Sequence, residues 1–235
     1  MREENNLVFE AENLGKVFFR NNSAPVKALE GINLEAFRGE FLVIVGRSGS
    51  GKTTLLNLLG ALDRPSTGEV RFEGRNLGKL SNRELALLRR EKIGFIFQTF
   101  NLLPSLTVFE NVESGLVRNV IPRDQMHRRI MELLDVLELT EMCNRLPLEL
   151  SVGQQQKVAV ARAIIKNPAL ILADEPTGEM DPIAGGEIMK KLIDLTRKLR
   201  ATLIMASHGT SMFSDADRSL FIKSGRIASR EEAGY

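Results

Sequence analysis

The sequence predicts an α/β fold built on a parallel sheet, and three observations carry that prediction. Phe41 to Val45 is an unbroken apolar run of strand length, and Ile93 to Phe97 and Ala169 to Ala173 (ALILA) read as further buried strands. Strands covered by helices on both faces of a parallel sheet need such runs. The first run leads directly into Gly46-Arg47-Ser48-Gly49-Ser50-Gly51-Lys52-Thr53-Thr54, a glycine-rich loop, and then into the helix-forming stretch Leu55 to Leu62. The third is followed by Gly185 to Leu199, whose Ile188, Leu192, Leu195 and Leu199 recur at helical spacing.

The remaining elements follow in chain order. Leu7 to Leu14 partly alternates and reads as a half-buried strand, and Phe18, Phe19 and a polar turn at Asn21-Asn22-Ser23 come next. Ala28 to Phe37 is another strand, and Gly68 to Gly74 alternates between two glycines as an exposed antiparallel strand. The first third is therefore expected to form a small antiparallel sheet beside the core. Ser81-x-x-Glu84, Thr107-x-x-Glu110 and Ser151-x-x-Gln154 have capping-box spacing and mark helix starts. From Arg123, the residues Met126, Ile130, Leu133, Leu134 and Leu137 keep helical spacing, so 99–166 reads as a mainly helical insertion. Ala201 to Ala206 is a further strand ending at Ser207-His208, and Ser224-Gly225 marks a hairpin turn. The tail Arg230 to Tyr235 is expected to fray.

Composition narrows the function. Thirty-two basic residues stand against thirty acidic ones, with no clustered basic face, which argues against nucleic acid as a partner. The single Cys143 leaves no internal disulfide and suits a reducing compartment. No signal peptide opens the sequence, and no apolar run approaches the ~18 residues of a membrane span. A role at a membrane would need another chain to do the spanning.

The glycine loop carries the chemistry. In strand–loop–helix context, Gly46, Gly51, Lys52 and Thr53 form G-x-x-x-x-G-K-T, whose backbone N–H groups converge on phosphate oxygens at a helix N-terminus. Lys52 supplies charge to the β- and γ-phosphates and the Thr53 hydroxyl is placed for Mg²⁺. These features imply binding of a nucleoside triphosphate. Asp174-Glu175 follows an apolar strand; Asp174 is placed to hold Mg²⁺ and Glu175 to polarise an attacking water. Gln98, at a strand tip, is either a further contact to Mg²⁺ or the water, or a surface glutamine. His208, at another strand end, is either a γ-phosphate partner or an ordinary polar residue.

In this order, Gly46–Thr54, Gln98, Leu150–Gln154, Asp174-Glu175, Asp181 and His208 resemble the motif set of the ATP-binding cassette (ABC) ATPases, and the likeness covers essentially the whole chain. The resemblance implies an α/β P-loop NTPase core with an antiparallel β subdomain and an inserted helical subdomain. Residues 1–98 and 167–235 would form the core with its β subdomain, and 99–166 the helical part. It implies ATP and Mg²⁺ as cofactors, and ATP hydrolysis in a head-to-tail pair of cassettes, expected to be a homodimer. Gly46, Ser48, Gly49, Ser50, Gly51, Lys52, Thr53 and Thr54 would then hold the phosphates and Phe18 would stack on adenine. Thr53, Gln98 and Asp174 would bind the metal, with Glu175, His208, Gln98 and Lys52 catalytic. Ser151, Gly153 and Gln154 of the signature, and Asp181 of the D-loop, would meet the ATP of the second cassette.

Phe97 to Pro104, Leu106-Thr107 and Glu110 to Val112, with Leu62 to Pro65, are similar to the lipoprotein-releasing and macrolide-exporter branch of that family. This implies docking near Phe100–Leu106 on a separate membrane permease, at the cytoplasmic face of the cell membrane. Phe100 and Leu102 are expected to be exposed for that purpose, the competing reading being that they belong to the core. Alternatives to transport are a regulatory cassette of the cell-division type, a nucleic-acid maintenance or translation ATPase, and a module that senses ATP without turnover. Long coiled-coil insertions or paired cassettes, usual in the nucleic-acid relatives, are missing from this sequence. Four positions depart from the pattern: Val152 for Gly, Gly209 for an acid, Lys157 for Arg and Phe18 for Tyr. With Ser151 as N-cap, Val152 falls at the first helical position, where valine costs only a few tenths of a kcal/mol.

Overall fold

The computed structural model describes residues 6–19, 24–116, 122–209 and 214–235, so the expected turn at Asn21-Asn22-Ser23 lies outside the described residues. Two compact units make up the chain: Met1–Leu87 with Thr202–Tyr235, and Leu88–Ala201.

In the first unit, β1 (Leu7–Phe18), β2 (Val26–Phe37), β4 (Thr67–Phe72) and β5 (Arg75–Asn76) form an antiparallel sheet in the order β2-β1-β4-β5. Its alternation places Phe9, Leu14, Ile32, Val70 and Phe72 in the core, each contributing about 1.5–3 kcal/mol by burial. β1 runs past Leu14, where the sequence pattern stops. Register shifts on both sides of Leu14 break the period of two, while pairing with β2 continues to Phe18.

The same unit contains β3 (Phe41–Val45), every residue of which is buried. It pairs in parallel with β8 (Thr202–Ser207) on one edge and β9 (Arg218–Lys223) on the other. β10 (Arg226–Ala228) returns antiparallel on β9 through the Ser224-Gly225 turn. Two helices belong here as well, α1 (Lys52–Leu59) and α7 (Arg230–Ala233). The tail is therefore not frayed. A capping box formed by Ser229 and Glu232 opens α7.

α2 (Asn82–Lys92), opened by the Ser81–Glu84 box, leads into the second unit. There β6 (Ile93–Ile96) and β7 (Leu170–Asp174) pair in parallel. The helices are α3 (Val108–Glu113), α4 (Arg123–Val136), α5 (Val152–Ile164) and α6 (Pro182–Leu199). α5 packs on β6 at Gly94, where a Cβ would come within 2.6 Å of the Ala163 carbonyl oxygen. On α6, Ile188 and Leu192 are buried as expected; Leu195 and Leu199 are half-buried, and Met189 and Ile193 complete the stripe.

Glu138, just after α4, ties two of these helices together. Its carboxylate meets Lys157 of α5 at 2.8 Å and Lys191 of α6 at 2.7 Å. Hydrogen bonding to Lys157, then to Lys191, lowers its pKa from 4.5 to about 2. A carboxylate shifted down on folding stabilises the fold above its unfolded-state value and loses that contribution as pH falls through its folded one. We expect wild-type stability to decline between pH 4.5 and about 2 more steeply than that of Glu138→Gln. Urea midpoints across that range measure it; parallel curves for the two proteins would show that solvent already screens the lysines.

Candidate nucleotide site

The glycine loop begins where β3 ends. Gly46 N–H donates to the Ser207 carbonyl at 3.2 Å, so the loop starts beside the last residue of β8. Gly51 is the N-cap of α1 with φ 108°, a left-handed backbone that glycine adopts at little cost. No side chain caps this helix, and its first turn holds no acidic residue. Its leading N–H groups lie at the positive end of the helix dipole. Lys52 is buried, with Nζ donating to the carbonyls of Gly46 (2.8 Å) and Arg47 (3.3 Å). Ser48, Gly49 and Thr53 are exposed, Thr54 is half-buried, and Ser50 is buried with its Oγ lacking a hydrogen-bond partner. Helix-start amides with no side-chain cap, a lysine and an exposed hydroxyl suit a triphosphate and a hard divalent cation.

His208 is exposed, one residue beyond β8, in a turn closed by the Gly209 N–H donating to Ser207 Oγ at 3.1 Å. Phe18 ends β1, partly exposed, with the Lys16 ammonium 5.0 Å from its ring centroid. A cavity of about 300 Å³ lies against Arg47–Ser50 and is also lined by Lys223, Ser224 and Glu232–Gly234.

The second unit holds the remaining candidates. Asp174 closes β7, and Glu175 follows with φ 45°, a conformation that costs a non-glycine residue roughly 1 kcal/mol or more. Gln98 is exposed just beyond β6, and its Nε2 donates to Glu179 Oε1 at 3.2 Å. That bond joins the strand tip to the turns that follow Glu175, closed by Gly178 N–H to the Glu175 carbonyl at 3.0 Å. Asp181 caps α6, its Oδ1 accepting from Ile183 N–H (3.1 Å) and Ala184 N–H (3.0 Å). Ser151 caps α5 by accepting from Gln154 N–H at 3.3 Å, while Gln154 Oε1 accepts from Ser151 N–H at 2.9 Å. Val152 starts the helix undistorted, with its side chain 44% exposed, and Gly153 follows half-buried.

The loop after Gln98 is held from two sides. Phe100 and Asn101 both have positive φ, 59° and 48°, which turns their carbonyls toward Arg162 of α5. The Arg162 guanidinium donates to both, at 2.6 and 2.5 Å, and burial lowers its pKa. Asn111 of α3 is fully buried; it accepts from Leu103 N–H (2.8 Å) and donates to the carbonyls of Leu103, Leu106 and Thr107. The expected exposure of Phe100 and Leu102 is not observed. Both are half-buried, and Leu103, at 45%, is the exposed apolar residue of this loop. The left-handed backbone at Phe100 and Asn101 leaves no periodicity from which the sequence could give this exposure.

A buried strand feeding an uncapped, lysine-led helix through a glycine loop defines a phosphate-binding core of the NTPase kind. The family model described as "ABC transporter" matches residues 29–178, and the chain belongs to that family. Among its relatives is the bacitracin export ATP-binding protein BceA of Halalkalibacterium halodurans, 39% identical over 97% of this chain and 89% of that one. The macrolide export ATP-binding/permease protein MacB of Azoarcus sp. is 44% identical over 89% of this chain, which spans 32% of that longer protein. This relative fits the branch suggested by the stretch after Gln98. The solved dimeric structure of the cassette MJ0796 in a post-hydrolysis state, bound to ADP and Pi, superposes with a TM-score of 0.87 at 38% identity. That match covers 94% of this chain and 97% of the other. The chain is an ABC ATPase cassette, and ATP hydrolysis is its activity.

Two loop glycines make a direct test. A Cβ at Gly51 would lie 2.7 Å from the Ala28 carbonyl oxygen and 2.9 Å from Leu29 Cδ2, whereas at Gly49 nothing lies within 4 Å. Gly49→Ala should therefore cost about 1 kcal/mol from its left-handed backbone. Gly51→Ala adds a steric clash, should cost about 2–4 kcal/mol, and should abolish ATP binding. Thermal unfolding with nucleotide titration measures both. Equal losses at the two positions would mean that backbone strain, not close approach, sets the requirement.

Proposed function

We propose that this cassette couples MgATP hydrolysis to motion of a separate membrane permease, working head to tail with a second copy of itself at the cytoplasmic face of the membrane. The observation that carries this reading is the uncapped start of α1, with Gly51 in the left-handed region and Lys52 behind it. The export functions in the names of BceA and MacB support transport, and the dimeric MJ0796 cassette supports a pair. Among the described residues no helix is long and apolar enough to cross a membrane.

In this reading, the α1 amides with Gly46, Ser48, Gly49, Ser50, Gly51 and Thr54 cradle the phosphates, and Phe18 stacks on adenine. Lys52 gives up its two carbonyl partners to neutralise the β- and γ-oxygens. Thr53, Asp174 and Gln98 hold Mg²⁺, which when bound spreads the charge that develops on the phosphates. Glu175 orients and deprotonates the attacking water, and His208 hydrogen-bonds the γ-phosphate. Ser151, Gly153 and Gln154, with Asp181, engage the nucleotide of the second copy.

Two substitutions separate binding from chemistry. Lys52→Ala should weaken ATP binding by at least tenfold, since a charge-assisted contact of about 1.5–3 kcal/mol is lost. Glu175→Gln should retain binding, lose at least a hundredfold in turnover, and accumulate as an ATP-bound dimer. Nucleotide titration, phosphate release and light scattering measure these outcomes. Wild-type turnover in either variant would sink the assignment.

Docking is proposed at the loop held by Arg162 and Asn111, with Leu103 as its apolar contact. Leu103→Ser should spare basal hydrolysis and reduce co-purification with the permease. Unchanged capture would move the contact elsewhere.

A further inference from the structure

The segment after β10 is an ordered arm rather than a loose end. Ser229 N–H donates to Glu232 Oε2 at 2.8 Å and Glu232 N–H to Ser229 Oγ at 3.2 Å, which closes the turn of α7. Lys223 of β9 donates to the Glu232 carbonyl at 2.6 Å, and Gly234 turns the chain with φ 84°. Tyr235 is thereby brought to two contacts within its own unit. Its ring centroid lies 5.9 Å from that of Phe221, the planes tilted by 41°. Its hydroxyl donates to the backbone carbonyl of His208 at 3.0 Å.

His208 is exposed and lies just past β8, where the ladder to β3 has ended at the Val45–Ser207 pair. Ser207 fixes the turn from the following side, through Gly209. Phe221, against which the Tyr235 ring rests, is also paired with Val45, the residue before the glycine loop. One ladder position therefore references both the loop and the tyrosine that holds His208.

We propose that Tyr235 is a positioning residue for hydrolysis. Its phenol fixes the backbone of His208, and so the direction from which the imidazole approaches the γ-phosphate. This rests on the reading of His208 given above. Tyr235 meets no reacting group itself; it acts through that carbonyl. The ring–ring contact limits the phenol to a small range of positions, which is what makes one hydrogen bond in a wet site effective.

Tyr235→Phe keeps the ring and removes the bond, which should lower kcat about two- to fivefold, the size of one ordinary hydrogen bond, with KM for ATP unchanged. In a His208→Ala background the same change should have no further effect, because the group it positions is gone. Steady-state hydrolysis by purified protein at saturating MgATP, with thermal unfolding of each variant, measures all four proteins. A kcat equal to wild type in Tyr235→Phe overturns the inference, as does an undiminished effect in the His208→Ala background. A rise in KM also overturns it, since the arm would then support ATP capture at Arg47–Ser50. If His208→Ala alone turns over normally, the assignment of His208 fails instead, and the inference falls with it.

Discussion

No side chain fits where β2, the glycine loop and the β9–β10 turn meet, and the nucleotide half of the molecule depends on that meeting. Gly51 and Gly225 both approach the Ala28 carbonyl so closely that a Cβ on either would lie within 2.7 Å of it. Gly225 N–H donates to the Ser50 carbonyl and Glu30 N–H to the Gly225 carbonyl, both at 2.9 Å. The antiparallel sheet thus bonds through one glycine to the loop that faces the phosphates. A loop that presents its N–H groups outward must have its carbonyls satisfied from behind. The Gly225 N–H on Ser50, and the Lys52 ammonium on Gly46 and Arg47, supply that backing.

The second unit solves a similar problem with charge. Two consecutive residues in the left-handed region, Phe100 and Asn101, are unfavourable by roughly 1–2 kcal/mol each. Arg162 offsets that cost locally, its half-buried guanidinium holding both carbonyls in one charge-assisted fork. Burial that disfavours the charged form, seen in its lowered pKa, is the counterweight. Arg162 lies on the helix that Ser151 opens. The loop proposed for docking and the start of the signature helix are therefore fastened to one rigid element.

Much of this was legible in the sequence because it was local. The capping boxes at Ser81, Thr107 and Ser151 all formed, since each partner lies three residues away on the same turn. The box at Ser229 is equally local, and it orders a terminus whose polar composition alone predicts fraying. Asp181-Pro182 is likewise a local helix start, with an Asp cap and Pro in the first turn. What could not be read were contacts made across the fold. Arg162 meets Phe100 from 62 residues away and Tyr235 meets His208 from 27, and neither pairing leaves a periodicity.

The capped helix start at Ser151 bears on Val152, the departure from the family pattern that lies within the signature sequence. Capping uses an acceptor lone pair of the Ser151 hydroxyl, on Gln154 N–H, and leaves its O–H free to donate. It also leaves the N–H groups of Val152 and Gly153, the first two of α5, outside the helical ladder. All three donors persist whether position 152 is valine or glycine, because two of them are backbone and the third belongs to Ser151. The valine therefore changes the volume in front of the helix start and not its capacity to donate to an anion. With its side chain 44% exposed, that added volume is directed into solvent in the single chain. In the head-to-tail pair proposed above, that volume would meet the surface of the second copy, so Val152 is proposed to act on closure rather than on ATP capture.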